Sequence, residues 1–405
     1  MAKRVGETGQ AQAGRSGTGD GRRLAVAGLF AGIGGIELGL ARAGHTAALA
    51  CEIEPGARAV LSARLPHVPL HDDVCFLETL PPETELVTAG FPCQDLSQAG
   101  KTRGITGARS GLVGEVFRLV SKAKTPLIVL ENVPFMLQLA RGEALEVIVS
   151  ALEHYGYKWA YRVVDSRAFG VPQRRERVIF VAALDEDPRH VLLADDVGAP
   201  ATSAGYPDVA CGFYWTEGIR GLGWAVDAVP TLKGGSTIGI PSSPAIIFPD
   251  GVVGTPDVRD AERMQGFAED WTAPALEVAK RGHRWKLVGN AVTVDVFEWL
   301  GQRLARPGIF TEPESVARIE PGRSWPRVGW NVGAGRFTSD VSAFPIYKER
   351  PPLTEFLKHP VSLLSAKATA GFLSRARKGS LRFPPGFLET LDRHLARMED
   401  RRAAA

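Results

Sequence analysis

Leu24-Ala25-Val26-Ala27-Gly28-Leu29-Phe30-Ala31-Gly32-Ile33-Gly34-Gly35 is the stretch on which the fold turns. Residues 24–30 are an apolar run of strand length, and a glycine turn at 32–35 follows. Ile36, Leu38 and Leu40 then begin a helix that ends near Gly44. The same strand–turn–helix unit recurs outward. Residues 46–53 are a second apolar run, with Pro55 at a first helical position. Strand-like runs return at 86–89 and 127–131 around a helical pattern at 111–123, and a helix at 142–154 leads to strands at 157–164 and 177–183. Strands alternating with helices predict an α/β fold with a doubly wound, mostly parallel sheet.

A length of 405 residues exceeds one simple core and predicts more than one domain. No apolar run approaches the roughly 20 residues that span a bilayer, and the N-terminus lacks the apolar core of a signal peptide. Cys51, Cys75, Cys93 and Cys211 show no CxxC spacing. Neither a metal site nor a disulfide framework is expected, and a cytoplasmic protein fits.

Residues 1–22 are rich in Gly, Ser, Thr, Gln and Arg and read as a disordered tail. Gly and Pro become dense from about residue 185 to 256, which predicts a smaller, irregular strand-and-loop domain. Helical patterns return at 257–266 and 291–305, and the later stretch is expected to carry short helices. Residues 321–405 hold 15 Lys and Arg against 7 Asp and Glu, so a net +8 sits on a chain of net +3. That basic segment is a candidate contact for a polyanion, and a solvated helical face is the bland alternative.

Four short patterns carry chemistry. Gly90-Phe91-Pro92-Cys93-Gln94 follows an apolar run and places a thiol on a stiff turn at a strand end, where open α/β sheets hold their sites. The glycines of the first turn let a ligand approach the backbone beside a helix N-terminus, and Glu52, ending the second strand, can bind ribose hydroxyls. The spaced-glycine dinucleotide pattern is absent, so an adenosine ligand without a diphosphate fits better. Glu131, in Glu131-Asn132-Val133, is a strand-end carboxylate able to act as an acid. Gln173-Arg174-Arg175-Glu176-Arg177 puts three arginines at a strand entrance, fit to grip a base, a phosphate or a carboxylate.

Taken together these pieces, with Asp73 and Gly289-Asn290-Ala291-Val292, resemble the DNA (cytosine-5)-methyltransferase family in type and in order, from about residue 24 to 307. The resemblance implies a class I methyltransferase, Rossmann-like sheet using S-adenosylmethionine. It implies that Cys93 adds to C6 of a flipped-out cytosine, Glu131 holds or protonates N3, and Arg177 with Arg175 contacts O2. For the cofactor it implies contacts from Phe30, Ala31, Gly32, Ile33, Gly34 and Gly35, with Glu52 on the ribose and Asp73 beside Val74 on the adenine. Ile53 would cover the ring, and Gly90, Pro92, Asn290 and Val292 would close the pocket. Gly28 departs from the family, which usually has Asp there.

On the DNA side the resemblance implies a closing loop from Gln94 to about Gly111, including Ser97. Residues 185–284 would be the target recognition domain, with Thr231-Leu232 holding the flipped nucleotide. The loops 213–224 and 233–244 are candidates for base reading, with Lys233, Ser236 and Thr237 as donors. The catalytic domain would comprise 23–184 and 285–307, and 308–405 would be a basic extension of open role. The expected partner is double-stranded DNA, and the expected form a monomer serving a restriction–modification or phage-defence system. A tRNA cytosine methylase and a catalytically silent DNA-binding relative are the alternatives.

Overall fold

The computed structural model describes residues 21–92, 111–201, 204–235, 243–320, 322 and 324–404. Its first strands in chain order are β1 (Ala25–Leu29), β2 (Thr46–Cys51), β3 (Leu70–His71), β4 (Leu86–Ala89), β5 (Leu127–Asn132), β6 (Lys158–Asp165), β7 (Gln173–Arg174) and β8 (Glu176–Ala183). Later come β9 (Cys211–Phe213), β10 (Ala225–Val226), β11 (Val229–Pro230), β12 (Ala245–Ile247), β13 (Val253–Thr255), β14 (Ala317–Arg318), β15 (Val328–Asn331), β16 (Phe337–Thr338) and β17 (Ser362–Leu363). Ten of them form one sheet in the order β3-β2-β1-β4-β5-β8-β6-β15-β16-β14. From β3 to β5 all neighbours are parallel, whereas β8 runs antiparallel to both β5 and β6. The order reverses between β1 and β4, which opens a crevice at their C-terminal ends.

Both faces of this sheet are covered, so its strands are continuously apolar rather than alternating. Ala27, Leu29, Val87, Ile128, Leu130 and Phe180 face the helices Gly111–Ala123 and Glu143–His154. Their neighbours Val26, Leu86, Val129, Ile179 and Val181 face the helices Gly35–Arg42 and Val294–Ala305. The last two helices meet closely at Gly39, where a β-carbon would lie 2.6 Å from the Val294 carbonyl and 2.7 Å from Phe297 Cβ.

The C-terminal segment is not an appendage. β15 pairs with β6 from Val328↔Arg162 to Asn331↔Trp159, which continues the large sheet. β17 pairs with β13 and completes a second, five-stranded sheet, β10-β9-β12-β13-β17. Two helices follow, Ala366–Lys378 and Phe387–Ala403, of 13 and 17 residues rather than short ones. Phe372, Leu373, Phe387 and Leu391 bury against Cys211, Phe213, Ala245 and Val253. Their cations other than Arg375 lie on the solvent face of amphipathic helices, which is why composition alone suggested a separate basic extension. At the other end, residues 1–20 lie outside the described residues. Arg22, assigned to the tail, instead donates its amide to the Ala305 carbonyl at 3.1 Å and pairs with Glu186.

Arg162, fully buried in β6, ties these pieces together. Its guanidinium donates to the carbonyls of Ser342 (2.7 Å) and Asp195 (2.6 Å) and to Asp196 Oδ1 (2.9 Å). Burial pushes its pKa down to about 10, against the pull of Asp196 and Asp195. Arg162→Met should therefore lower stability by about 3 kcal/mol in denaturant unfolding, because buried carbonyls lose their donors. A change under about 1 kcal/mol would mean that those carbonyls find water instead.

Candidate active site

A cavity of about 430 Å³ lies at the C-terminal ends of β1, β2, β4 and β5, at the point where the strand order reverses. One half is built from the first two strands. Phe30 leaves β1 with φ +57°, a conformation that L-residues rarely adopt, and Gly32 repeats it. This turn is pinned by Ala31 N–H to the Cys51 carbonyl (3.0 Å) and Gly32 N–H to Glu52 Oε2 (2.7 Å). The second Glu52 oxygen accepts from Glu54 N–H at 2.8 Å. Burial raises the Glu52 pKa, opposed by these amide donors.

Phe30, Gly32, Ile33, Glu52, Asp73 and Val74 all line the cavity, and Ile53, 66% exposed, sits at its mouth. Ala31, Gly34 and Gly35 do not line it. They act through the backbone, Ala31 being buried and Gly34 capping the following helix. Val292 does not line it either. It packs behind the turn, where a β-carbon on Gly35 would lie 2.8 Å from Val292 Cγ2.

The other half carries Gly90, Pro92, Glu131, Asn132 and Arg177, all on the cavity wall. Arg177 Nε is 2.8 Å from Glu131 Oε1, and its Nη1 donates to the Glu176 carbonyl at 2.7 Å. Burial lowers the Arg177 pKa while Glu131 opposes that shift. Asn132 donates from Nδ2 to the Phe91 carbonyl at 3.0 Å and so pins the backbone at the end of the described segment. Cys93, Gln94 and Ser97 lie outside the described residues.

Arg175 is elsewhere. It is 1% exposed, absent from the cavity wall, and donates to the backbone carbonyls of Leu232 (2.9 Å), Gly289 (3.4 Å) and Ala291. Burial, then the neighbouring Arg177, pushes its pKa well down. It is a brace, with no group left to face a substrate but a buried Nε.

Leu232 is likewise a core residue, 2% exposed among Val229, Met264 and Val288. Its amide is held by Gln173 Oε1 at 2.9 Å, and its side chain packs inside rather than on the surface expected of a nucleotide contact. Thr231 stays partly open, its hydroxyl donating to the Arg174 carbonyl at 2.8 Å. Lys233 is exposed, 2.6 Å from Glu217 Oε1. Ser236 and Thr237 lie outside the described residues. Asn290 lines the cavity, and Gly234 lies so close that a β-carbon there would be 2.1 Å from Asn290 Oδ1. The stretch at residues 233–235 and the cavity wall are thus in contact. Lys286 also lines the cavity, which no motif had signalled.

A family model described as C-5 cytosine-specific DNA methylase matches residues 24–202. Type II methyltransferase M2.BsuMI of Bacillus subtilis (strain 168) is 47% identical over 385 residues, covering 91% of this chain and 98% of that protein. The chain belongs to the C-5 cytosine-specific DNA methylases. Type II methyltransferase M.MspI of Moraxella sp is 29% identical over 298 residues, covering 68% of this chain and 69% of that one. Among solved structures, S. pombe Dnmt2 methyltransferase covers 70% of this chain and 98% of its own at 18% identity and a TM-score of 0.49. Among the described residues no helix of this methylase is long and apolar enough to cross a membrane.

Gly28, where the resemblance leads to the expectation of Asp, has no room for a side chain. Glu37, in the first turn of the helix Gly35–Arg42, is 3% exposed, and neither carboxyl oxygen has a hydrogen-bond partner among the described residues. A β-carbon on Gly28 would fall 2.0 Å from Glu37 Oε1. The Glu37 carboxyl therefore occupies the space of a side chain at position 28. Burial, helped by the charge of Glu52, raises its pKa from 4.5 to about 7.

The folded state thus holds the proton that the unfolded chain releases near pH 4.5. The associated stability is fully present below that pH and is lost as pH rises through about 7. The total loss is about 3 kcal/mol. Unfolding followed from pH 4 to 8 should show this slope in the natural chain and a flatter one in Glu37→Gln. Equal slopes would mean that Glu37 ionises alike in both states.

Proposed function

We propose that this methylase moves a methyl group from S-adenosylmethionine to C5 of a cytosine turned out of duplex DNA, through a transient bond between the Cys93 sulfur and C6. The observation that carries this is the Glu131–Arg177 pair on the cavity wall, 2.8 Å apart. An acid and a guanidinium side by side match the N3 and O2 edge of cytosine, the atoms that must take up electron density when C6 is attacked.

The cofactor half fits the donor set. Glu52 and Asp73 suit ribose hydroxyls, an adenine amine and a cationic sulfonium, while Ile53, Val74 and Phe30 offer apolar cover for a ring. S-adenosylmethionine, when bound, supplies an electrophilic methyl group. The residues do the rest. The Cys93 thiolate adds to C6 and loads electron density onto C5. Glu131 gives or holds the N3 proton, and Arg177 donates to O2. Once C5 carries the methyl group, loss of its proton and expulsion of the Cys93 sulfur restore the aromatic ring. These atoms are stacked and paired in a duplex, so the base must leave the helix first. Burial pushes the Cys51 and Cys211 thiols up to about 12 and about 11, so neither offers a thiolate near neutrality.

Labelled-methyl transfer to duplex DNA and to tRNA, measured side by side, tests the reading. Label on DNA cytosine is expected, and label confined to tRNA would overturn it. Cys93→Ser should abolish transfer with donor affinity within about twofold, and Glu131→Gln should cost about 10²–10⁴ in rate. A Cys93→Ser enzyme that still turns over would remove Cys93 as nucleophile.

A further inference from the structure

Residues 214–223 fold back on themselves. Tyr214 N–H donates to the Leu222 carbonyl at 2.8 Å, and Gly218 N–H donates to the Gly221 carbonyl at 3.0 Å. Gly218, at φ +116°, starts the reversal. The result is a short finger with Ile219 and Arg220 at its tip. Ile219 is 49% exposed, and Arg220 is exposed with no ion pair among the described residues.

The base of the finger adjoins the active site. Tyr214 Oη donates to the Thr231 carbonyl at 2.7 Å, and Lys233 Nζ lies 3.7 Å over the Tyr214 ring. The next residue, Leu232, is the one that Gln173 and Arg175 hold.

The side of the finger rests on the C-terminal helix Ala366–Lys378. Arg375 donates from Nη2 to the Trp215 carbonyl at 2.8 Å and from Nε to the Glu217 carbonyl at 3.0 Å. A β-carbon on Gly218 would be 3.2 Å from the Phe372 ring, and one on Gly379 would be 3.0 Å from Ile219 Cα. The backbone of the finger rests on the Phe372 ring and on the end of the helix at Gly379. Lys378 and Arg382, next to that contact in sequence, are exposed and free of ion pairs among the described residues. Exposed cations at Arg220, next to Ile219 in sequence, and at Lys378, next to the Gly379 contact, suit one occupant, the phosphate-walled major groove of DNA.

We propose that the C-terminal segment belongs to the sequence-reading apparatus. Ile219 and Arg220 are specificity-determining side chains that read base edges beside the target cytosine. Arg375 is a positioning residue that holds their finger in register. This rests on the reading of the chain as a DNA cytosine methylase. Arginine pairs bidentately with a guanine edge and isoleucine packs on a thymine methyl, so the finger discriminates at one or two base pairs. Arg375 touches no base. Its two bonds replace the freedom of a glycine-containing loop with one geometry.

The test uses the full chain on a pool of duplexes with randomised flanks around cytosine, read by methylation-sensitive sequencing. Donor binding and thermal unfolding are measured alongside. Arg220→Ala and Ile219→Ala should each lose about tenfold to a hundredfold preference at particular flanking base pairs. Arg375→Ala should relax those same positions, and Arg375→Lys, able to reach one carbonyl, should recover part of the preference. Unchanged preference in both tip variants would overturn the proposal, whether or not Arg375→Ala folds. So would an Arg375→Ala enzyme slowed equally at every site. If the natural chain labels no duplex at all, the methylase reading fails, an outcome distinct from failure of the finger.

Discussion

A buried guanidinium whose hydrogen bonds go to backbone carbonyls holds the parts of this enzyme together. Arg175 leaves the entrance of the last core strands and ends among backbone carbonyls from two distant stretches, Leu232 on one side and Gly289 and Ala291 on the other. The second pair closes the helix His283–Asn290, whose final carbonyls carry the negative end of the helix dipole. Removing a cation from water costs several kcal/mol, and here aligned dipoles offset that cost. The return is positional. The strand that delivers Arg177, the stretch after Thr231 and the cavity wall at Asn290 share one anchor, so none can be displaced alone.

The same economy of space recurs at Gly234 and Gly289. A β-carbon on Gly289 would fall 2.1 Å from the Lys233 carbonyl carbon, and one on Gly234 would strike Asn290. Two glycines thus bring the stretch at residues 233–235 against the cavity wall at Asn290 without a spacer. A shift of the backbone at residues 233–235 must be felt at Asn290, and a ligand pressing on Asn290 must be felt in that backbone. Packing this dense transmits shifts instead of absorbing them.

The sequence made the parallel core readable because burial on both faces leaves uninterrupted apolar runs. β4 falls at the expected 86–89, and β5 extends the expected 127–131 by one residue. Glu52, Asp73, Glu131 and Arg177, scattered over 126 positions, line one cavity. Arg175 and Arg177 could not be told apart, since two arginines in one run carry no mark of which will find carbonyls and which a carboxylate. Thr231-Leu232 read as a pair, yet one side chain is open and the other sits in the core. β15 escaped notice because Val328-Gly329-Trp330-Asn331 is four residues long and contains a glycine. The C-terminal helices were masked by their own arginines, although Phe387 and Leu391 stand one helical turn apart.

The pairing of β15 with β6 and of β17 with β13 has a consequence for synthesis. Both sheets are finished by chain that leaves the ribosome after everything that does chemistry. A product stopped near residue 310 would hold every motif of the reaction, with an unpaired edge on β6 and a bare apolar face at Phe213 and Val253. Such a fragment is suited to aggregation and clearance. An enzyme built this way does not emerge early as a finished catalytic core, because the chain that completes both sheets also braces the loop at residues 214–223.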